Sequence, residues 1–365
     1  MPIYATPPKS PSLLRRLDEL DELRRYLAQH LGNSTEPWTG ALRRLAAAEA
    51  AVGSTSIEGY GASLEDTVEI LAGRHPSSTS EETQRIIAAY AQAMDRVAVL
   101  AEDSRLEWTP QTILELHFLV CHPQREAGPG RLREGPVIVT RGLGRDPYRP
   151  PASNEVPALL KQLSVWLESG DLARHPVVRG AMAHLNLVSI HPFRDGNGRV
   201  ARIVQSLVLA KEGLLRPELV SIEPYLGRHT REYYAALEEA QGPSFDPGQD
   251  ASAWVEFCIE AHVFEATERR RWLEVANARH TFSERLAHEH GYPERFVLAL
   301  DQALLGLPIT NVDYRREAAV ASPTAVQDLQ RLRHDGWIEQ EGGGRSVRYV
   351  AGKQLQERWT ASRHR

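Results

Sequence analysis

A chain of 365 residues, 42% hydrophobic and 25% charged, holds enough apolar material for two or three cored domains, which excludes a disordered polypeptide. No run approaches the ~18 uninterrupted apolar residues that cross a bilayer, and the N-terminus has no signal-type apolar stretch, so a membrane partner is excluded and the cytoplasm is expected. The net charge of −5 excludes a protein wholly devoted to nucleic acid but not a local basic module, and two cysteines, Cys121 and Cys258, exclude a disulfide framework and a zinc site.

Helical periodicity dominates the first two thirds. Residues 13–31 and 38–59 place apolar residues three and four apart with charges between them, the pattern of amphipathic helices. The same spacing predicts helices over 81–100 and 112–120. At 131–151 (RLREGPVIVTRGLGRDPYRPP), Val137, Ile138 and Val139 among Gly and Pro predict a short β-hairpin. Residues 154–169 return to helix with Asn154 as N-cap, and Pro176 opens a helix that runs into a loop at 191. Another helix leaves that loop. Residues 251–305 are helical and carry Arg269, Arg270 and Arg271, expected as a solvated face. Beyond about 309, a short helix, a turn at Ala321 and a helix with Ser322 as N-cap and Pro323 at N1 precede strands at 337–340 and 346–350. That order predicts a helix-turn-helix with a wing. Residues 310–365 hold ten Lys/Arg against seven Asp/Glu, so this end is basic within an acidic chain. The expected division is an N-terminal helical region 1–110, a core domain 111–245, a helical connector 246–305 and a C-terminal module 306–365.

The loop after the Pro176 helix reads HPFRDGNGRVAR (191–202). Gly196 and Gly198 let backbone N–H groups approach an anion at a helix start, where free donors and the helix dipole favour phosphate. Asp195 supplies hard oxygen suited to Mg²⁺ bridging phosphates. Arg199 and Arg202, three apart on one helix face, supply forked donors for the remaining phosphate charge. His191, with an ordinary pKa near ~6.5, can be neutral at cell pH and take a proton from an attacking hydroxyl. Phe193 is expected in the core, and Asn186 is a candidate for orienting the loop.

This loop resembles the signature of the Fic family, HxFx(D/E)GNGRxxR, and matches every fixed position: His191, Phe193, Asp195, Gly196, Asn197, Gly198, Arg199 and Arg202. The likeness extends over about 40–240. It implies a mainly α fold, a Fic-type helical core with a small β-hairpin flap, followed by a winged helix-turn-helix domain. It further implies transfer of AMP from ATP, with Mg²⁺, to a Ser, Thr or Tyr hydroxyl of a target protein or of the chain itself. His191 is then the base, and Gly196, Asn197, Gly198, Arg199 and Arg202 the phosphate site. The flap pairs with an extended target segment, and a homodimer is admitted.

Upstream, STSIEG (54–59) matches (S/T)xxxE(G/N), the inhibitory motif of the family's N-terminal class. The resemblance implies that Glu58 pairs with Arg202 in place of the γ-phosphate. Ser54 shares its helix face, and Gly59 serves as a C-cap or a close-approach position. Two alternatives stand: a Fic enzyme that removes AMP, using Glu58 to activate water, and a DNA-binding regulator whose core senses nucleotide. In the winged module, the helix over 322–335 is expected in the DNA major groove, with Thr324, Gln327 and Arg331 facing bases and Arg345 touching backbone.

Overall fold

Side-chain caps set the helix starts. Ser10 Oγ accepts from Leu13 N at 3.2 Å at the start of α1 (Pro11–Leu27). Ser63 and Ser80 cap α3 (Leu64–Leu71) and α4 (Glu81–Glu102) in the same way, and Thr109 with Thr112 closes a capping box on α5 (Pro110–Cys121). The computed structural model describes residues 2–32, 37–140, 147–211, 219, 221–344 and 347–363. The chain divides into two units, Met1–Gly32 with Arg44–Arg269, and Asn33–Arg43 with Arg270–Arg365.

In the first unit, which takes α2 (Pro37–Ile57) from Arg44 onward, α4, α5 and α7 (Pro176–Ile190) pack on α8 (Asn197–Ala210), while α3 packs on α4 and α6 (Val156–Ser169) on α7. All residues of α8 except Gly198 are buried, which a helix achieves only at the centre of a bundle. Ile87, Tyr90, Val97, Ile113, Leu116, Leu163, Leu187, Ile203 and Leu207 form the core around it. Full burial of each aliphatic side chain contributes roughly 1.5–3 kcal/mol, so the position of the α8 N-terminus is held by the whole bundle. After it come α9 (Glu223–Arg228), α10 (Thr230–Gln241) and α11 (Ser252–Glu289), with Trp254 Nε1 donating to Ala181 O at 2.7 Å. Among the described residues no helix is long and apolar enough to cross a membrane. Both cysteines are buried free thiols.

The second unit contains α12 (Phe296–Leu304), α13 (Asn311–Glu317), α14 (Ser322–His334), an antiparallel pair β1 (Ile338–Glu341) and β2 (Arg348–Ala351), and α15 (Lys353–Ser362). The register runs from Ile338 opposite Ala351 to Glu341 opposite Arg348. Phe296, Leu300, Tyr314, Leu329, Leu332, Trp337 and Leu355 make its core. Arg295 grips Asp328 through two hydrogen bonds of 2.6 and 2.9 Å, and Tyr314 donates to the same carboxylate at 3.1 Å. The mainly α class with a small two-stranded sheet is therefore as expected.

Several local expectations are corrected. The hairpin at 131–151 reduces, among the described residues, to one antiparallel bridge between Val139 and Tyr148, and Arg149 pairs in parallel with Ser244. Pro136, Pro147, Pro150 and Pro151 remove the donors a longer ladder needs; residues 141–146 lie outside the described residues. Helix α6 is capped by Glu155, not Asn154; no side chain caps its N–H groups, and Glu155 instead accepts from Ala152 N at 2.9 Å. Ala321, not Ser322, is the N-cap of α14, with no side-chain bond. Arg269 is buried against Glu49 and Glu265, not solvated, while Arg270 pairs with Glu274 at 3.0 Å on a half-exposed surface.

Candidate active site

The loop expected to carry chemistry lies between α7 and α8, and its backbone is set by the residues themselves. His191 ends α7 in a left-handed conformation (φ 49°, ψ 58°). Asn197 then ties the loop into a ring: its Oδ1 accepts from Phe193 N at 2.9 Å and its Nδ2 donates to Phe193 O at 3.0 Å. Gly196 has φ +80°, and a Cβ there would lie 2.3 Å from Cys121 Sγ. Gly196→Ala therefore adds backbone strain and overpacking, each about 1–3 kcal/mol. A drop of several degrees in melting temperature is expected; an unchanged melting curve would contradict this account of the loop.

Phe193 is fully buried, as expected, and stacks on His117 at 3.7 Å between ring centroids with 6° between planes. His117 Nε2 donates to Asp195 O at 3.0 Å, while its Nδ1 accepts from Gly130 N at 3.0 Å, which defines a neutral tautomer. Arg133 binds the loop from the other side: its Nε donates to His191 O at 2.7 Å, its N to Pro192 O at 3.0 Å, and its remaining nitrogens to Gly135 O and Pro151 O. Asn186 does not orient the loop. It is fully buried and holds the N-terminal segment, accepting from Tyr4 N at 2.8 Å.

His191 Nδ1 faces Val188 O at 3.2 Å; a carbonyl only accepts, so Nδ1 carries the proton and Nε2 keeps its lone pair. Burial pushes the imidazole down to about 4, helped by Arg133. His117 is likewise lowered by burial to about 4, and His184, fully buried between Gln205 and Tyr233, to about 3. These folded values lie below the ordinary 6.5, so the unfolded chain binds more protons on acidification. Stability from this source is complete above about 6.5 and is lost as the pH falls towards about 4. Melting temperatures read at pH 7.5, 6 and 5 should decline in that order.

The first-turn N–H groups of Asn197, Gly198 and Arg199 have no intrahelical acceptor by construction, and the helix dipole points its positive end the same way. Arg199 and Arg202 are both buried. Arg199 NH2 lies 3.6 Å from Asp195 Oδ2, and its Nε and NH1 have no hydrogen-bond partner. Arg202 donates from Nε to Ser54 Oγ at 2.8 Å and from NH2 to Ser54 O at 3.0 Å and Glu58 Oε1 at 2.8 Å, leaving NH1 without a partner. The Glu58 carboxylate also sits over Gly198, where a Cβ would fall 2.6 Å from Oε1. A carboxylate thus lies against the first turn of α8, bonded to Arg202. Gly59 (φ +89°) terminates α2 with nothing within 4 Å of an added Cβ, so it acts as a turn and not as a point of close approach.

Asp195 is half exposed, with Oδ1 accepting from Gly196 N at 2.6 Å. No group of three or more His, Cys, Asp or Glu among the described residues could hold a metal alone. A single accessible carboxylate beside a helix N-terminus and two buried guanidinium groups is a donor set that fits Mg²⁺ held by one or two carboxylates plus substrate phosphates and water. Of the residues expected in the C-terminal unit, Gln327 and Arg331 are exposed on α14 and Thr324 is half-buried. Arg331 lies over the rings of Tyr292 (4.9 Å) and Phe296 (5.9 Å). Arg345 lies outside the described residues.

Sequence reasoning missed His117, Arg133 and Gly53. A Cβ on Gly53 would fall 2.2 Å from Glu223 O, so α2 meets α9 backbone to backbone and brings Ser54 and Glu58 within reach of Arg202. Tyr90 and Ser221 both donate to the buried Glu223 carboxylate on that side. A glycine inside an otherwise Ala-rich helix was the readable signal for this contact; His117 and Arg133 had none.

Residues 107–209, which hold this site apart from Ser54, Glu58 and Gly59, match the model of the Fic/DOC family, so that stretch is a Fic/DOC domain. Among curated proteins it is similar to a protein adenylyltransferase fic-1 of Caenorhabditis elegans, 32% identical over 191 residues, covering 51% of this chain and 35% of the relative. A protein adenylyltransferase Fic of Drosophila virilis is 34% identical over 206 residues, covering 54% and 40%. The chain thus spans well under half the length of these relatives. Among solved structures, a Fic family protein from Desulfovibrio desulfuricans shares the fold with a TM-score of 0.62 at 24% identity, over 95% of this chain and 98% of that one. A Fic-1 fragment from Caenorhabditis elegans aligns with a TM-score of 0.56 at 25% identity, over 72% and 74%.

Proposed function

We propose that the chain is a protein adenylyltransferase that moves AMP from ATP to a protein hydroxyl and is held inactive by Glu58. The observation that carries this reading is His191: a neutral imidazole with a free Nε2 lone pair stands at one end of a loop whose other end is an anion-binding helix N-terminus backed by two buried guanidinium groups. A site that only sensed nucleotide needs the second feature and not the first.

In this mechanism His191 Nε2 takes the proton of the attacking hydroxyl, whose oxygen forms a bond to the α-phosphorus while the bond to the pyrophosphate oxygen breaks. The N–H groups of α8 and the side chains of Arg199 and Arg202 meet the phosphate charge, in a site where fixed donors need no reorganisation. Asp195 would hold Mg²⁺ together with phosphate oxygens; when bound, the ion neutralises charge on the departing pyrophosphate. Arg133 and His117 clamp the loop between them, keeping His191 at the mouth. The segment around Val139 offers backbone groups to an extended acceptor peptide. Glu58 competes with the γ-phosphate for Arg202.

The test is incubation of the full chain carrying Glu58→Gly, beside the wild type, with a lysate and ATP labelled at either the α- or the γ-phosphorus. Label from α only, retained on protein, supports AMP transfer. Label from γ, or none with AMP released from pre-modified protein, turns the reading to another donor or to AMP removal.

For the C-terminal unit, the order of α13, α14, β1 and β2 supports a winged helix-turn-helix. We expect it to bind duplex DNA through α14, with Gln327 and Arg331 towards the groove. Affinity should fall steeply with salt, as phosphate contacts release counterions. No binding to any duplex at 50 mM salt defeats this expectation.

A further inference from the structure

Arg269 is 2% exposed, and an isolated buried guanidinium is strongly disfavoured. Its NH1 lies 3.0 Å from Glu49 Oε2 on α2, and its NH2 lies 3.7 Å from Glu265 Oε2, one turn earlier on α11. Glu265, itself 5% exposed, is also paired with Arg228 at the end of α9. One cluster of two carboxylates and two guanidinium groups therefore joins α2, α9 and α11. Apolar residues of similar size hold such a position at least as stably, because two charges must be stripped of water. What an ion cluster adds is registry: its partners accept one rotation of the helix and reject others.

The helix it grips is the one whose end delivers Ser54 and Glu58. Glu49 stands five residues before Ser54, about 7.5 Å along the axis. A rotation of α2 by about 20° would move a side-chain tip about 6 Å from the axis by about 2 Å. That is enough to break the 2.8 Å contacts of Arg202 with Ser54 Oγ and Glu58 Oε1. The backbone contact at Gly53 sets how near α2 comes to α9 but carries no directional charge.

We propose that the Glu49–Arg269–Glu265–Arg228 cluster, buried at Arg269 and Glu265, sets the rotation of α2, so that Arg269 and Glu49 are positioning residues for the carboxylate that blocks the anion site. This rests on Glu58 being an inhibitor.

The test compares the wild type, Glu58→Gly and the double variant Glu49→Leu/Arg269→Met, each as the full chain with α-labelled ATP and Mg²⁺, alongside hydrogen exchange at 50–60. The double variant removes both partners, so no lone charge is left from that pair. It is expected to melt within a few degrees of the wild type, to exchange faster at 50–60 and to label itself at least 5-fold more. Adding Glu58→Gly to it should bring labelling to the level of Glu58→Gly alone and no higher. Labelling at the wild-type level in a folded double variant, while Glu58→Gly is active, overturns the proposal. If Glu58→Gly gives no label, the inhibitory reading fails separately. In that case exchange alone decides: faster exchange at 50–60 sustains the positioning role and unchanged exchange ends it. Should the double variant fail to fold, Glu49→Gln is read by the same criteria, with an expected 2-fold rise in label.

Discussion

Glu58→Gly is expected to raise self-labelling from α-labelled ATP at least 10-fold. The reason is competition for one guanidinium. In the wild type, Arg202 is buried and its NH2 is committed at 2.8 Å to a carboxylate, which also covers the N-terminal turn of α8 at Gly198. Charge-assisted hydrogen bonds to a buried guanidinium are worth roughly 1.5–3 kcal/mol, so removing one frees the anion site by a factor of ten or more. Glycine leaves no side chain to refill the space. Glu58→Gln, which keeps the shape but not the charge, should fall between the two. Equal labelling by wild type and Glu58→Gly, with both folded, removes the inhibitory role.

The second large effect is that of His191→Ala, introduced into Glu58→Gly so that the loss is measured from an active background. Loss of a positioned base lowers transfer by about 10²–10⁴-fold. Binding of ATP should persist, because the phosphate donors are on α8 and the base is not among them. The pH profile carries the same information. With His191 held down at about 4 by burial, the base is neutral throughout the neutral range, so transfer should be flat from pH 8 to about 5.5 and fall only below that. A midpoint near 6.5 would instead place His191 in solvent-like surroundings. Label persisting in the His191→Ala variant at the parent level would assign the base to another group.

The contrast between α8 and α2 shows where sequence reading succeeds. HPFRDGNGRVAR is short, and each residue's role follows from local rules: glycine for the turn, helix N–H groups for the anion, arginines three apart on one face. Phe193 is in the core, and the loop closes on itself through Asn197, whose side chain shapes the turn by bonding Phe193 on both sides. Arg269 failed the same kind of reading because a basic triplet on a helix looks solvated unless its partners are known. Glu49, its partner, is 220 residues away. Asn186 failed for the same reason, since its partner is Tyr4.

By itself, then, the helical class with its small two-stranded sheet was legible in the residues, because it depends on local periodicity, caps and turn preferences. The meeting of Glu58 with Arg202 was legible only through resemblance to a family motif. Tertiary structure alone decided three things: that Arg202 and Arg199 are buried, that His191 is neutral with Nε2 free, and that Arg269 is buried against Glu49 of α2. Each depends on which distant side chains exclude water or face a charge, and no local pattern encodes that pairing.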